Sequence, residues 1–324
     1  VVRRRPVLAG IASVLASAPA LAWGQGERRH VGVLMGYREN DPGVADSIAA
    51  LTQGLGAHGW KLGGNIEVVW RWADGVPALF ERYAAELVER KPDALLAQGT
   101  PSVKALKAVA GGTPIVFTIV TDPVGQGMVE SLAHPGGTVT GFTDFDPAMA
   151  SKWMELLSEV TPKVSRVAVL FNPETAPFAA PMIQAIEQAA PSFGITPKAA
   201  PCRDEAAIEA ALGVSDGAVA LPDLFNLVHR RAIVAAAARR HMPVIYFNRT
   251  FTAAGGLMSY GVNYADQFRR AADYLDRLLK GARAADLPVQ QPAEFDLSVN
   301  LKTAKALGIE LPQTMVSVAD EVIE

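Results

Sequence analysis

From His30 onward the chain alternates short runs of β-branched and aliphatic residues with stretches whose apolar positions recur every three or four residues. Unbroken apolar runs suit strands buried on both faces of a parallel sheet, and the longer period suits helices packed on it. A first series predicts strands at 31–35, 66–72, 93–97 and 115–120, with helices at 44–58, 78–90 and 102–109. A second series starts at Arg166, with strands at 167–171, 217–221 and 243–247 and helices at 181–190, 205–212 and 228–240. Arg29-His30-Val31-Gly32-Val33-Leu34-Met35 and Ser165-Arg166-Val167-Ala168-Val169-Leu170-Phe171 share one pattern: a basic residue, a short apolar strand, then a polar turn before a helix. Repeated βαβ units of this kind predict an α/β protein with two doubly wound, Rossmann-like lobes, not one long sheet. A further strand at 257–262 leads into a helix at 264–279, closed by Lys280-Gly281. Leu287-Pro288-Val289-Gln290-Gln291-Pro292 then reads as an extended connector suited to a hinge crossing, because proline fixes φ and excludes helix. No low-complexity linker separates the series, so the lobes are expected to share several crossings.

Composition narrows the function classes. The 324 residues are 50% hydrophobic, enough for a large core, and 30 basic against 33 acidic residues give a net charge of −3. The basic excess of a nucleic-acid binder is missing. A single cysteine, Cys202, excludes an intramolecular disulfide framework and a Cys-rich zinc site, and the 5 histidines form no HExxH pair, so neither metal nor cofactor is expected. Arg3, Arg4 and Arg5, an apolar stretch from Pro6 and the closing Ala20-Leu21-Ala22 follow the pattern of a secretory leader spanning 1–22. Pro6, Ser13, Ser17 and Pro19 interrupt the stretch too much for a membrane anchor, which needs about 20 apolar residues. No later segment is long and apolar enough to span a bilayer, so the expectation is an exported chain with no membrane insertion after cleavage.

Two catalytic patterns fail on context. Gly54-Leu55-Gly56-Ala57-His58-Gly59 fits GxGxxG but ends a predicted helix and precedes a strand, the reverse of a dinucleotide site. Gly213-Val214-Ser215-Asp216-Gly217 fits GxSxG in the same wrong order, so Ser215 is read as a turn residue. Cys202 has no histidine beside it in sequence and is read as an ordinary half-buried cysteine. No catalytic residue is assigned.

The informative residues follow strands, because ligands of doubly wound sheets bind at the carboxyl ends of the strands. After 95–97 come Gln98-Gly99-Thr100-Pro101-Ser102, where Gly99 permits close backbone approach. Thr100 or Ser102 either caps the next helix or, with its free N–H groups, receives a carboxylate. After Val120 stand Thr121 and Asp122, the latter a ligand acceptor or a turn former. Asn172 follows Phe171, Asp223 and Phe225 follow Leu221, Tyr246 follows Ile245, and Tyr37 follows the first strand. The aromatics Tyr37, Phe225 and Tyr246 either stack on a ring or pack the cleft floor, and the recurrence of polar groups points to a cleft between lobes that binds a small molecule.

Several stretches are also similar to a known family. They are Asp122-Pro123-Val124-Gly125, Pro135-Gly136-Gly137-Thr138-Val139-Thr140-Gly141 and Ala254-Gly255-Gly256-Leu257-Met258-Ser259-Tyr260-Gly261, then Pro288-Val289-Gln290-Gln291-Pro292, Asn300-Leu301-Lys302-Thr303-Ala304-Lys305-Ala306-Leu307-Gly308 and Ala319-Asp320-Glu321-Val322-Ile323-Glu324. They resemble ABC-transporter substrate-binding proteins of the family that includes tryptophan- and tyrosine-binding members. The resemblance implies a type I periplasmic-binding fold with a three-crossover hinge and no catalysis. It implies lobe I at 30–141 plus 262–287 and lobe II at 142–261 plus 288–324. For aromatic amino-acid ligands it implies Thr100 and Ser102 near the carboxylate, Asp122 and Asp223 near the ammonium, and Tyr37 or Phe225 near the ring. Thr138 stands where the family usually has Asn. The expected partners are a small organic ligand and an inner-membrane ABC permease, with the protein monomeric. The absence of a lipidation cysteine near the leader fits a Gram-negative periplasm. Rival readings are a sensory protein that presents its ligand to a chemoreceptor or kinase, and a two-lobed hydrolase or racemase.

Overall fold

The computed structural model describes residues 28–41, 44–161, 164–292 and 294–324; the leader at 1–22 lies outside them. The first lobe is built on β1 (Arg29–Met35), β2 (Ile66–Trp72), β3 (Ala94–Gln98), β4 (Ile115–Val120) and β5 (Val139–Thr143). These form an all-parallel sheet in the order β2-β1-β3-β4-β5, with α1 (Ala45–Ala57), α2 (Pro77–Glu89) and α3 (Gly99–Val109) between strands. The second lobe carries β6 (Arg166–Phe171), β7 (Thr196–Pro201), β8 (Gly217–Ala220), β9 (Val244–Tyr246), β10 (Met258–Val262), β11 (Phe295–Asn300) and β12 (Glu321–Ile323), in the order β12-β11-β10-β9-β8-β6-β7. Only the β10–β11 pair is antiparallel. Its helices are α4 (Ala148–Val160), α5 (Ala179–Ala189), α6 (Glu205–Gly213), α7 (Leu224–Val228), α8 (Arg230–Arg239), α9 (Arg249–Ala253), α11 (Leu301–Leu307) and α12 (Gln313–Val318). This is the two-lobed α/β architecture of type I periplasmic binding proteins.

The chain passes between lobes three times. It leaves β5 for α4, returns after β10 as α10 (Tyr264–Leu279), and leaves again between Gln290 and Phe295. Helix α10 belongs to the first sheet by its packing: Phe268, Ala271, Ala272, Leu275 and Leu279 form its buried stripe, and it lies along α1. That helix pair is close because Gly54 has no side chain; a Cβ there would stand 2.6 Å from the Cβ of Ala272. Of the GxGxxG glycines, Gly54 therefore serves helix packing and Gly59, with φ +88°, the helix exit. The connector at 287–292 runs against β5, with the Gln290 N–H donating to the Gly141 carbonyl at 2.9 Å.

Several elements differ from the sequence reading. Strand β5 and helix α4 were not predicted: β5 is only five residues long and carries Gly141, where a Cβ would meet the Phe117 carbonyl oxygen at 2.1 Å. The helix expected at 228–240 is α8, and a short helix not expected, α7, precedes it and meets it at His229. Helix α3 begins at Gly99, not Ser102, because Gly99 turns straight out of β3 with φ +80°. Edge strand β7 is largely solvent-facing and holds two prolines, so it lacks the apolar run used to find strands. Ser215 is a turn residue whose hydroxyl donates to the Ala211 carbonyl at 3.2 Å. Cys202 is buried, and that burial pushes its thiol up to about 11, away from reactivity.

Candidate ligand-binding cleft

The carboxyl ends of both sheets converge on one narrow, partly open space of about 30 Å³. From the first lobe come Tyr37 after β1, Gly99 and Thr100 after β3, Ile119 and Thr121 at the end of β4, and Asp144 after β5. From the second come Thr175 after β6, Asp223 and Leu224 after β8, and Phe247 after β9. Tyr264, the first residue of α10, closes the space from the hinge.

Local geometry fixes the first-lobe wall. The Gln98 side chain ties β3 to β1 by accepting the Gly36 N–H at 2.8 Å. Gln126 donates to the Thr121 carbonyl at 2.6 Å and to the Thr100 hydroxyl at 3.3 Å, holding the two loops together. Between Phe117 and Val120 the β4–β5 register shifts, and Ile119 adopts φ +59°. A β-branched residue is strained in the left-handed region and stays there only when its surroundings hold it. Here buried Gln267 of α10 does so, accepting the Ile119 N–H at 2.8 Å and donating to the Thr143 carbonyl at 2.8 Å. The hinge helix thus sets the bulge that shapes the cleft.

Two carboxylates line the cavity, each 4% exposed and each pushed up to about 6 chiefly by burial. Asp223 accepts the Asn172 N–H at 2.7 Å, the Phe225 N–H at 3.0 Å and the Thr175 hydroxyl at 2.5 Å, which partly offset the burial. Asp144 accepts from one hydroxyl, that of Thr121 at 2.6 Å. The phenols of Tyr37 and Tyr264 are held neutral, their pKa raised first by burial, then at Tyr37 by the charges of Asp41 and Asp144 and at Tyr264 by that of Asp144.

Five of the ten residues expected at the site line this cavity: Tyr37, Gly99, Thr100, Thr121 and Asp223. Asn172 stands behind Asp223, and its side chain caps its own turn by accepting the Glu174 N–H at 2.8 Å. Ser102, Asp122, Phe225 and Tyr246 do not line it. Ser102 is fully buried inside the first turn of α3. Asp122 sits at φ +47° and closes a turn by accepting the Gly125 N–H at 2.8 Å. Phe225 stacks on His229 at 4.2 Å, and Tyr246 stacks on Phe251 at 4.6 Å in the core. Asp144 and Tyr264 were missed, although both follow strands and the same rule applied to β5 and β10 finds them.

The lobes are in contact. Arg230 of α8 pairs with Asp41 at 2.7 Å, both largely shielded, and Arg249 of α9 pairs with Asp46 of α1 at 2.5 Å. Leu224 reaches so near Gly36 that a Cβ there would lie 3.1 Å from it. A larger hollow of about 260 Å³ adjoins the inner space at Tyr264, with Arg230, Arg231 and Arg249 on one side and Asp46 on the other.

Two sheets facing each other across a cleft, with polar groups from both, are the arrangement of a two-lobed ligand-binding protein. The chain belongs to the ABC transporter substrate binding protein family, whose model matches residues 39–323. It is 28% identical over 256 residues to a tyrosine-binding protein of Clostridioides difficile, covering 78% of this chain and 73% of that one. A conserved domain protein of Vibrio cholerae superposes with a TM-score of 0.84 at 30% identity, over 91% of this chain and 100% of the other. The fold is also that of a Streptococcus pneumonia ABC domain in complex with L-Trp, with TM-score 0.85, 22% identity, and 92% and 100% of the two chains covered. Substrate-binding proteins of ABC transporters work outside the cytoplasm, and among the described residues no helix is long and apolar enough to cross a membrane.

Proposed function

We propose that this protein captures an amino acid, tyrosine and tryptophan being the first candidates, between its lobes and hands it to an inner-membrane ABC permease. The observation that carries the reading is the meeting of strand ends from both sheets, with polar groups from each, around one narrow cleft. Ligand contacts made by both lobes favour the closed state, whereas contacts with one lobe alone shift nothing. The start of α3 at Gly99 and Thr100, which no side chain caps, suits the ligand carboxylate, because helix N-termini favour anions. Tyr37 and Phe247 offer faces for a ring. The tyrosine-binding relative and the L-Trp-bound fold neighbour support this ligand class. The protein binds its ligand and does not transform it. We place it in the periplasm of a Gram-negative cell, a reading that the leader pattern ending at Ala22 supports.

Differential scanning of the purified protein against the twenty amino acids, aromatic acids, sugars and nucleobases tests the proposal. A ligand at a hundred times its dissociation constant adds about 2.7 kcal/mol of stability. Tyrosine or tryptophan is expected to raise the melting temperature, and a response confined to sugars or nucleobases would refute the amino-acid reading. Loss of uptake of that amino acid on deleting the gene, restored by the wild-type copy, tests delivery to the permease.

A further inference from the structure

We propose that Asp144 is the receptor for a positively charged nitrogen on the ligand, so that the cleft selects ammonium-bearing molecules over polyols, sugars and plain carboxylic acids. This deepens the amino-acid reading and rests on the cleft being the ligand site.

The argument is one of missing counter-charge. A buried carboxylate costs several kcal/mol unless it is paired or well supplied with hydrogen bonds. Asp144 is 4% exposed, and its supply is one hydroxyl, Thr121 on Oδ1, besides its own backbone N–H. Among the described residues no lysine, arginine or histidine forms an ion pair with it, and Thr121 is the one other residue that donates to its side chain. The groups that face it are neutral: the Thr121 hydroxyl and the phenols of Tyr37 and Tyr264, from β4, β1 and α10. Arg230 acts on Tyr37, but it is paired with Asp41 at 2.7 Å. The cavity therefore holds one negative charge for which the chain supplies no cation.

The other acidic candidates are accounted for. Asp223 shares the cavity but is satisfied by two backbone N–H groups and a hydroxyl, the pattern of a loop-building cap. Asp122 closes a turn outside the cavity. An ammonium has three N–H donors, and the Asp144 carboxylate and the neutral phenol oxygens of Tyr37 and Tyr264 are acceptors of the matching kind. Polyols offer no charge to compensate the carboxylate.

The test is calorimetric titration of the whole protein with L-tyrosine, L-tryptophan, tyramine, tryptamine, 3-(4-hydroxyphenyl)propionate, 3-indolepropionate and myo-inositol. Wild type, Asp144→Asn and Asp144→Ala are compared. The wild type is expected to favour the amino-bearing probes by about 100-fold or more over their desamino counterparts, as a site built for a polar group rejects the analogue without it. Asp144→Asn is expected to erase most of that preference while leaving the desamino probes unchanged or tighter. Unchanged amino-acid affinity in Asp144→Asn, or a wild type that prefers desamino acids or myo-inositol, would overturn the proposal. A second readout needs no ligand. Ligand-free Asp144→Asn should melt roughly 3 °C or more above wild type at pH 7.5, with the gap closing at pH 4.5 as the wild-type carboxyl takes up its proton. A variant that melts below wild type would mean the carboxylate is structural, and the proposal fails. If the wild type binds no probe, the amino-acid reading fails by itself, and the melting comparison still decides whether Asp144 is an uncompensated charge.

Discussion

Asp144 on one wall of the cleft and Asp223 on the other are equally buried and equally raised in pKa, yet their surroundings differ. Asp223 organises its loop: it draws together the start of α7, the turn after β6 and the Thr175 hydroxyl. Asp144 organises nothing beyond Thr121. A shifted pKa marks desolvation, and desolvation alone does not separate a structural carboxylate from a functional one. The donor count separates them, because a group with its acceptors filled has nothing left to offer a ligand.

The sharpest way to break this comparison is to remove each carboxylate in turn. Asp223→Ala leaves two buried N–H groups and a hydroxyl without their acceptor, and is expected to cost about 4 kcal/mol in urea unfolding. Asp144 variants should cost nothing or stabilise the ligand-free protein. Equal losses at the two positions would erase the distinction.

Acid titration of stability comes next in size. Both folded-state values, about 6, lie above the ordinary aspartate value of 3.8, so the charged forms burden the native state. That burden is full above pH 6 and is relieved as pH falls toward 4, so each group should add about 2–3 kcal/mol of stability across that window. Unfolding curves at pH 7.5, 6, 5 and 4.5 should show the rise, and Asp144→Asn should lose its own share. A wild type whose stability is flat or falling between pH 6 and 4.5 would contradict the desolvated state of both groups.

The two inter-lobe ion pairs supply smaller effects. Arg230 and Asp41 are shielded, with side chains 12% and 14% exposed, so Arg230→Ala removes a largely desolvated pair between the lobes. It is expected to cost the closed state about 2 kcal/mol, seen as ligand affinity weaker by roughly 30-fold and a larger radius of gyration in X-ray scattering. Arg249→Ala removes an exposed pair, with side chains 41% and 64% exposed, and should change affinity by no more than about 1 kcal/mol. The reverse ranking would place the latch at the rim instead of beside the cavity.

Much of this protein is written in local pattern. The apolar runs of β1, β3, β4 and β6 and the stripe of α10 read directly from the sequence, because buried parallel strands and amphipathic helices have their own periods. The rule that ligands meet strand ends then picked out Tyr37, Gly99, Thr100, Thr121 and Asp223. Local pattern failed where stability comes from distant contacts. Strand β5 is held by its close approach to Phe117, and Asp144 follows from it; Asp122 and Asp144 look alike in sequence. Which of these two acids faces the cavity depends on a bulge in β4 held by Gln267, about 150 residues away in the chain. Side-chain type and strand period are carried by neighbouring residues, so the sequence alone determined the lobes and the end of the sheets at which a ligand would sit. Burial and the pairing of charges are set by contacts between segments far apart, so only the tertiary structure decided which carboxylate is satisfied and which is left for a partner.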